Sequence, residues 1–202
     1  MSDAPQDFHY QLGKTIEGWS YIESCLCSLF IKVTQMYPPM GRKVFYSATG
    51  FRARTKMLRV AIESVNLAED GMRDFWTTAI DKADKYAGFR NLVVHGDIVF
   101  VDFPKSKHYK THIILQGKQF WKADPEPDDI ITYNQLTVAD DNYRRLASCM
   151  MFVLGRDPKT IAEGPKECRE LVARLPSQPH ASQLSPSDLA RFSLLKSVPF
   201  ER

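Results

Sequence analysis

Apolar residues recur at three- and four-residue spacing through Phe8, Leu12, Ile16, Trp19, Ile22, Leu26, Phe30, Val33 and Tyr37. That period keeps one face of a helix apolar, so it predicts a first helix over about residues 8–37, stopped by Pro38-Pro39. A second helical region follows over about 42–66, interrupted near Thr49-Gly50, with Met57, Leu58, Ile62 and Val65 in its later half. A third helix is expected over 71–95 from Met72, Phe75, Trp76, Ala79, Ile80, Ala83 and Tyr86, continuing to Val93 and Val94, with Gly96 able to end it. The pattern then changes. Residues 97–103 and 109–115 are β-branched and aromatic, and Ile130–Tyr133 is a third short candidate strand. Thr137 fits the N-cap of a fourth helix whose apolar face is Tyr143, Leu146, Ala147, Met150, Val153 and Leu154.

Helices with one apolar stripe each bury it by packing together. The expected fold is therefore mainly α, a four-helix bundle with a small antiparallel β insertion at about 97–134 between the third and fourth helices. The helical domain spans about 1–155. Residues 156–202 form an extension with a short helix near 158–175. From Pro176 on, Ser, Pro and Gln dominate, which suggests a mobile tail.

The chain has 202 residues, enough for one domain with a real core, and a net charge of +3, too small to mark a nucleic-acid binder. Its distribution says more. Residues 42–59 carry Arg42, Lys43, Arg52, Arg54, Lys56 and Arg59 without an acid; residues 105–122 carry Lys105, Lys107, Lys110, Lys118 and Lys122 without one. Segregated charge attracts polyanions even near overall neutrality, although solvated faces of a helix and a hairpin account equally well for each segment alone. Cys25, Cys27, Cys149 and Cys168 make no Cys-x-x-Cys pair, and Cys25 and Cys27 point to different sides of a helix, so no metal clip is expected. His108 and His112 are too loosely spaced to read as a metal site. Reduced thiols, a polar start and no apolar run of ~20 residues suit a cytoplasmic protein without a membrane span.

Phe89-Arg90-Asn91-Leu92-Val93-Val94-His95-Gly96 carries the candidate chemistry. On a wheel of ~100° per residue, Arg90 falls on the apolar direction of Met72, Trp76, Ala79, Ala83 and Tyr86. A cation there is costly unless something pairs with it. Asn91 and His95 share another face, with His95 about 140° from Arg90. Histidine moves protons near neutral pH, arginine holds a phosphate through two parallel hydrogen bonds, and asparagine orients either. RNA supplies its own nucleophile, the 2′-hydroxyl, so a base and a cation suffice without metal. The structural alternatives are equally concrete: Arg90 paired with an acid such as Glu23, His95 favoured by the helix dipole, Asn91 simply solvated, Trp19 in the core, and Tyr46 and Phe51 packed rather than stacking on bases. A second pair, Arg174 and His180, spans two prolines and does not suit a bundle helix.

Arg90-Asn91-x-x-x-His95, late in a helical bundle, resembles the Arg-x(4–6)-His motif of the HEPN superfamily, where Asn commonly follows the arginine. Trp19-Ser20-Tyr21-Ile22-Glu23 is similar to the aromatic-x-x-aliphatic-acid pattern of many members. The resemblance covers about residues 8–155. It implies a metal-independent endoribonuclease without cofactor, whose composite site forms where two copies of the motif meet in a homodimer. Arg90, Asn91 and His95 would be catalytic, Glu23 supporting, and Arg52, Arg54, Lys56, Arg59, Lys107 and Lys110 candidates for RNA binding. A toxin or phage-defence setting, with an antitoxin or regulatory partner, is common in the family. Other members have lost catalysis and serve as dimeric scaffolds or sensors. Some toxins carry a Tyr two residues after the histidine that a partner nucleotidyltransferase modifies; Asp97 stands there in this chain, so that route of control is not implied.

Overall fold

The stripe Phe8, Trp19, Ile22, Leu26, Phe30 and Val33 is buried along α1 (Pro5–Thr34). The computed structural model describes residues 5–65, 71–101, 112–116, 130–155 and 164–181, and structural statements here concern those. The protein is mainly helical: α2 (Pro38–Ser47), α3 (Phe51–Ser64), α4 (Met72–His95), α5 (Tyr133–Leu154) and α6 (Gly164–Arg174) follow α1. The backbones of β1 (Asp97–Val101), β2 (His112–Gln116) and β3 (Ile130–Ile131) pair antiparallel in that order between α4 and α5.

Local chemistry explains where the boundaries differ from the periodicity. α1 ends three residues earlier than expected, and Gln35 turns the chain at φ 52°. Pro38 and Pro39 do not merely stop a helix; they open α2 at its first two positions. Backbone N–H groups there have no partner inside a helix, so proline loses nothing by lacking one. Gly50, at φ 82°, makes the break between α2 and α3 that the sequence places near Thr49-Gly50. The N-cap of α5 is Thr132, not Thr137. Thr132 and Gln135 form a reciprocal capping box, Gln135 N donating to Thr132 Oγ1 (3.3 Å) and Thr132 N donating to Gln135 Oε1 (2.7 Å). Thr137 lies inside the helix and donates its hydroxyl to Tyr133 O.

α1 and α5 form the main packing pair. Thr15 donates to Leu136 O, Cys25 to Ala147 O and Lys32 to Leu154 O, so the two helices run side by side in the same direction. They approach closely at Gly18, where a Cβ would meet Asp140 Oδ1 at 2.6 Å. α4 runs against α3, tied by Thr55 and Arg59 to Asp84 and by Arg59 to Asp81. Cys168, Leu171 and Val172 bring α6 into the same core.

Residues 176–181, at the start of the expected tail, contact the helices, and residues 182–202 lie outside the described residues. Three side chains clamp the segment 175–181 to α4 and α5. Lys82 Nζ donates to Leu175 O and Pro176 O, Tyr86 OH to Pro176 O (3.0 Å), and Asn142 Nδ2 to Pro179 O (2.7 Å) and Ala181 O (3.4 Å). His180 stacks on Phe89 with ring centroids 4.7 Å apart. Proline-rich backbone has few N–H donors but keeps its carbonyls, and buried carbonyls require donors from elsewhere. The side chains of α4 and α5 supply them.

Candidate functional site

Arg90 continues the buried face of α4 one turn beyond Tyr86, at the level of Trp19 on α1 and Tyr143 on α5. Its guanidinium Cζ lies 6.0 Å from the Trp19 ring centre, at the outer limit of cation–π contact. Trp19 meets Tyr143 edge-on at 5.4 Å and Phe51, at the start of α3, at 4.8 Å. Arg90 Nη1 donates to Asn91 Oδ1 (3.1 Å), whereas its Nε is buried without a hydrogen-bond partner. Among the described residues no carboxylate pairs with it. Burial, reinforced by Tyr86, raises the Tyr143 hydroxyl above its ordinary pKa, and the nearby Arg90 charge opposes that rise.

Asn91 and His95 are exposed, and Val94 between them is 38% exposed. His95 occupies the last turn of α4, where the carbonyl end of the helix favours a cation. Within one copy, then, Arg90 faces the core layer while Asn91 and His95 face outward, linked to it by the Arg90–Asn91 hydrogen bond.

Glu23 forms a salt bridge, with Arg54. Arg54 Nη1 holds its Oε1 at 3.0 Å, both side chains being largely buried, and Arg54 also donates to Ala48 O and lies over Tyr46. That pair braces α1 against the α2–α3 turn. Arg59 is likewise engaged, by Asp81 and Asp84. Of the six RNA-binding candidates, Arg52 and Lys56 are exposed and free of ion pairs among the described residues; Lys107 and Lys110 lie outside those residues. Arg42 and Lys43 are also exposed on α2. Trp19 is core at 2% exposure and Phe51 packs against it, while Tyr46 stays 43% exposed.

No group of three or more His, Cys, Asp or Glu that could hold a metal occurs among the described residues, and no described helix is long and apolar enough to cross a membrane. An apolar cavity of about 220 Å³, lined by residues including Leu29, Lys32, Val33, Met72, Trp76 and Val153, is not at the motif. Trp76 precedes Arg90 by 14 positions on the same helix, about 20 Å along its axis.

Tyr143 and the clamp residues Lys82, Tyr86 and Asn142 carry no sequence signal of a role. Their partners are remote in the chain, and each fits its helix pattern as an ordinary core or surface residue. No protein-family model, curated protein or solved structure matches this chain.

Proposed function

We propose that the chain is a HEPN-like, metal-independent endoribonuclease, a helical bundle carrying the three strands as an insertion and acting as a homodimer. The observation that carries this reading is Arg90: a half-buried guanidinium with no carboxylate paired to it among the described residues, beside the exposed pair Asn91 and His95. A phosphodiester is the partner that such a cation lacks. In the reaction, His95 takes the proton of an RNA 2′-hydroxyl. The 2′-oxygen attacks phosphorus, the bond to the 5′-oxygen breaks, and that oxygen leaves with the proton returned by protonated His95. Arg90 stabilises the charge that builds on the phosphoryl oxygens, and Asn91 orients Arg90 through the hydrogen bond they share. Products are a 2′,3′-cyclic phosphate and a 5′-hydroxyl. Arg90 and His95 point apart on one helix, so two copies meeting at the ends of α4 complete the site. Arg42, Lys43, Arg52 and Lys56 give salt-sensitive affinity for the RNA backbone.

The test is cleavage of total RNA by pure protein in EDTA. Activity at least a hundredfold lower in Arg90→Ala and His95→Ala is expected, in line with the usual contribution of a proton-transfer group. No cleavage by the wild type, or cleavage undiminished in both variants, overturns the reading. A non-catalytic dimeric module is the rival, favoured by the contact of Arg90 with Trp19, which braces α4 to α1 without any substrate. It predicts that His95→Ala is silent in every assay while Arg90→Ala lowers the melting temperature.

A further inference from the structure

Each of the other half-buried described arginines on α3 and α5 holds a carboxylate. Arg54 has Glu23 at 3.0 Å, Arg59 has Asp81 and Asp84 at 2.8 and 2.9 Å, Arg144 has Asp140 and Glu17 at 2.8 and 2.9 Å, and Arg145 has Asp141 at 3.7 Å. Among the described residues no carboxylate pairs with Arg90, and Glu17, Glu23 and Asp140 are held by those other arginines. Besides the Asn91 amide, the group described against Arg90 is aromatic: the Trp19 ring at 6.0 Å, itself met edge-on by Tyr143 at 5.4 Å and backed by Phe51 at 4.8 Å. Three buried polar atoms in this cluster, Trp19 Nε1, Arg90 Nε and Tyr143 Oη, have no hydrogen-bond partner among the described residues. Buried polar groups left without partners are destabilising, so the arrangement is poor for stability alone.

We infer that Trp19 and Tyr143 are positioning residues for Arg90: an aromatic cradle holds the guanidinium where a carboxylate would otherwise hold it, and so leaves its charge for an oxyanion of the phosphate class. A carboxylate partner would fix the side chain equally well but would neutralise it and occupy the fork that a phosphate needs. An aromatic face attracts the cation while contributing no formal negative charge. Tyr143 acts through Trp19, by fixing the ring against which Arg90 rests. The inference rests on the proposed role of Arg90 toward phosphate, not on RNA cleavage.

The probe is inorganic phosphate, titrated at constant ionic strength against the full chain, with affinity read by calorimetry and the Arg90 Nε–H followed by ¹H–¹⁵N NMR. In the wild type the Arg90 Nε–H is expected upfield, under the Trp19 ring current, and to shift on phosphate addition. Trp19→Phe keeps an aromatic face but a weaker one, so phosphate affinity falls about two- to fivefold and the Nε–H moves downfield. Tyr143→Leu, which releases the edge of Trp19, has the same effects, whereas Tyr143→Phe, which keeps the ring, restores both readouts. Arg90→Gln abolishes phosphate binding. Phosphate binding that survives Arg90→Gln, an Nε–H indifferent to Trp19→Phe, or no phosphate binding at all overturns the inference. Phosphate binding with this variant pattern but no RNA cleavage upholds it and overturns the nuclease reading. RNA cleavage with an unmoved Nε–H does the reverse.

Discussion

Asn142→Leu tests whether residues 175–181 belong to the folded core. Asn142 is 1% exposed and makes three hydrogen bonds, donating to Pro179 O (2.7 Å) and Ala181 O (3.4 Å) and accepting from Arg145 Nη1 (2.9 Å). Leucine has nearly the same volume, so no large cavity forms and the change isolates polarity. The buried Pro179 carbonyl loses its donor, with no N–H of the proline to rearrange. A buried acceptor left without a partner costs about 1–3 kcal/mol, and the longer bond to Ala181 adds little. The apolar contacts of leucine offset part of this, leaving about 2 kcal/mol. For a chain of 202 residues that is a fall in melting temperature of about 4–8 °C. If the segment opens without the rest, the loss appears instead as faster hydrogen exchange at the Ala181 amide, which bonds Gln178 O in the native chain. Calorimetry and exchange are therefore measured together. A variant that matches the wild type in both refutes the clamp.

Acid should loosen the same region. Burial holds the pKa of His180 below its ordinary 6.5. As pH falls through 6.5 the unfolded chain takes the proton first, so the folded state loses stability from there down to the lowered pKa and no further below it; above 6.5 His180 has no effect. Urea titrations across that range should show the loss in the wild type and less of it in His180→Phe, and equal slopes would count against it. Thr132→Ala removes the capping box of α5 and should cost about 1 kcal/mol, or about 2–4 °C by thermal melt. If Thr137→Ala costs more than Thr132→Ala, the cap is wrongly placed. Gly18→Ala drives a methyl into Asp140 Oδ1 and should destabilise by about 1–3 kcal/mol, whereas Gly13→Ala, with open space around it, should stabilise by about 1 kcal/mol. Chemical denaturation of both variants giving the same sign would refute the close approach of α1 to α5.

Much of the helical framework was legible because helix formation and amphipathicity are local. The run from Met72 to Tyr86 is buried as its spacing requires, and α4 ends at His95 before Gly96 as expected. Boundaries were less legible where one residue type serves two ends: Pro38-Pro39, read as a stop, opens α2, and the cap of α5 is Thr132, extended where the chain enters from β3, and not Thr137. At the candidate site, the anomaly of Arg90 was visible and its surroundings were not. Glu23 lies on the right face of α1, but Arg54 reaches it; no spacing rule shows which of several arginines captures a given acid.

By itself, then, the sequence determined which faces of the helices are apolar, and that Arg90 interrupts one of them while Asn91 and His95 lie on another. Those properties depend on residues within a turn or two. Only the tertiary structure decided what stands opposite: the Trp19 ring beside Arg90, with no carboxylate paired to it among the described residues, and proline-rich backbone against Lys82, Tyr86 and Asn142. Those partners are far apart in the chain. Their pairing follows from how whole helices pack and from competition among charges for the same few acids, neither of which a local pattern encodes.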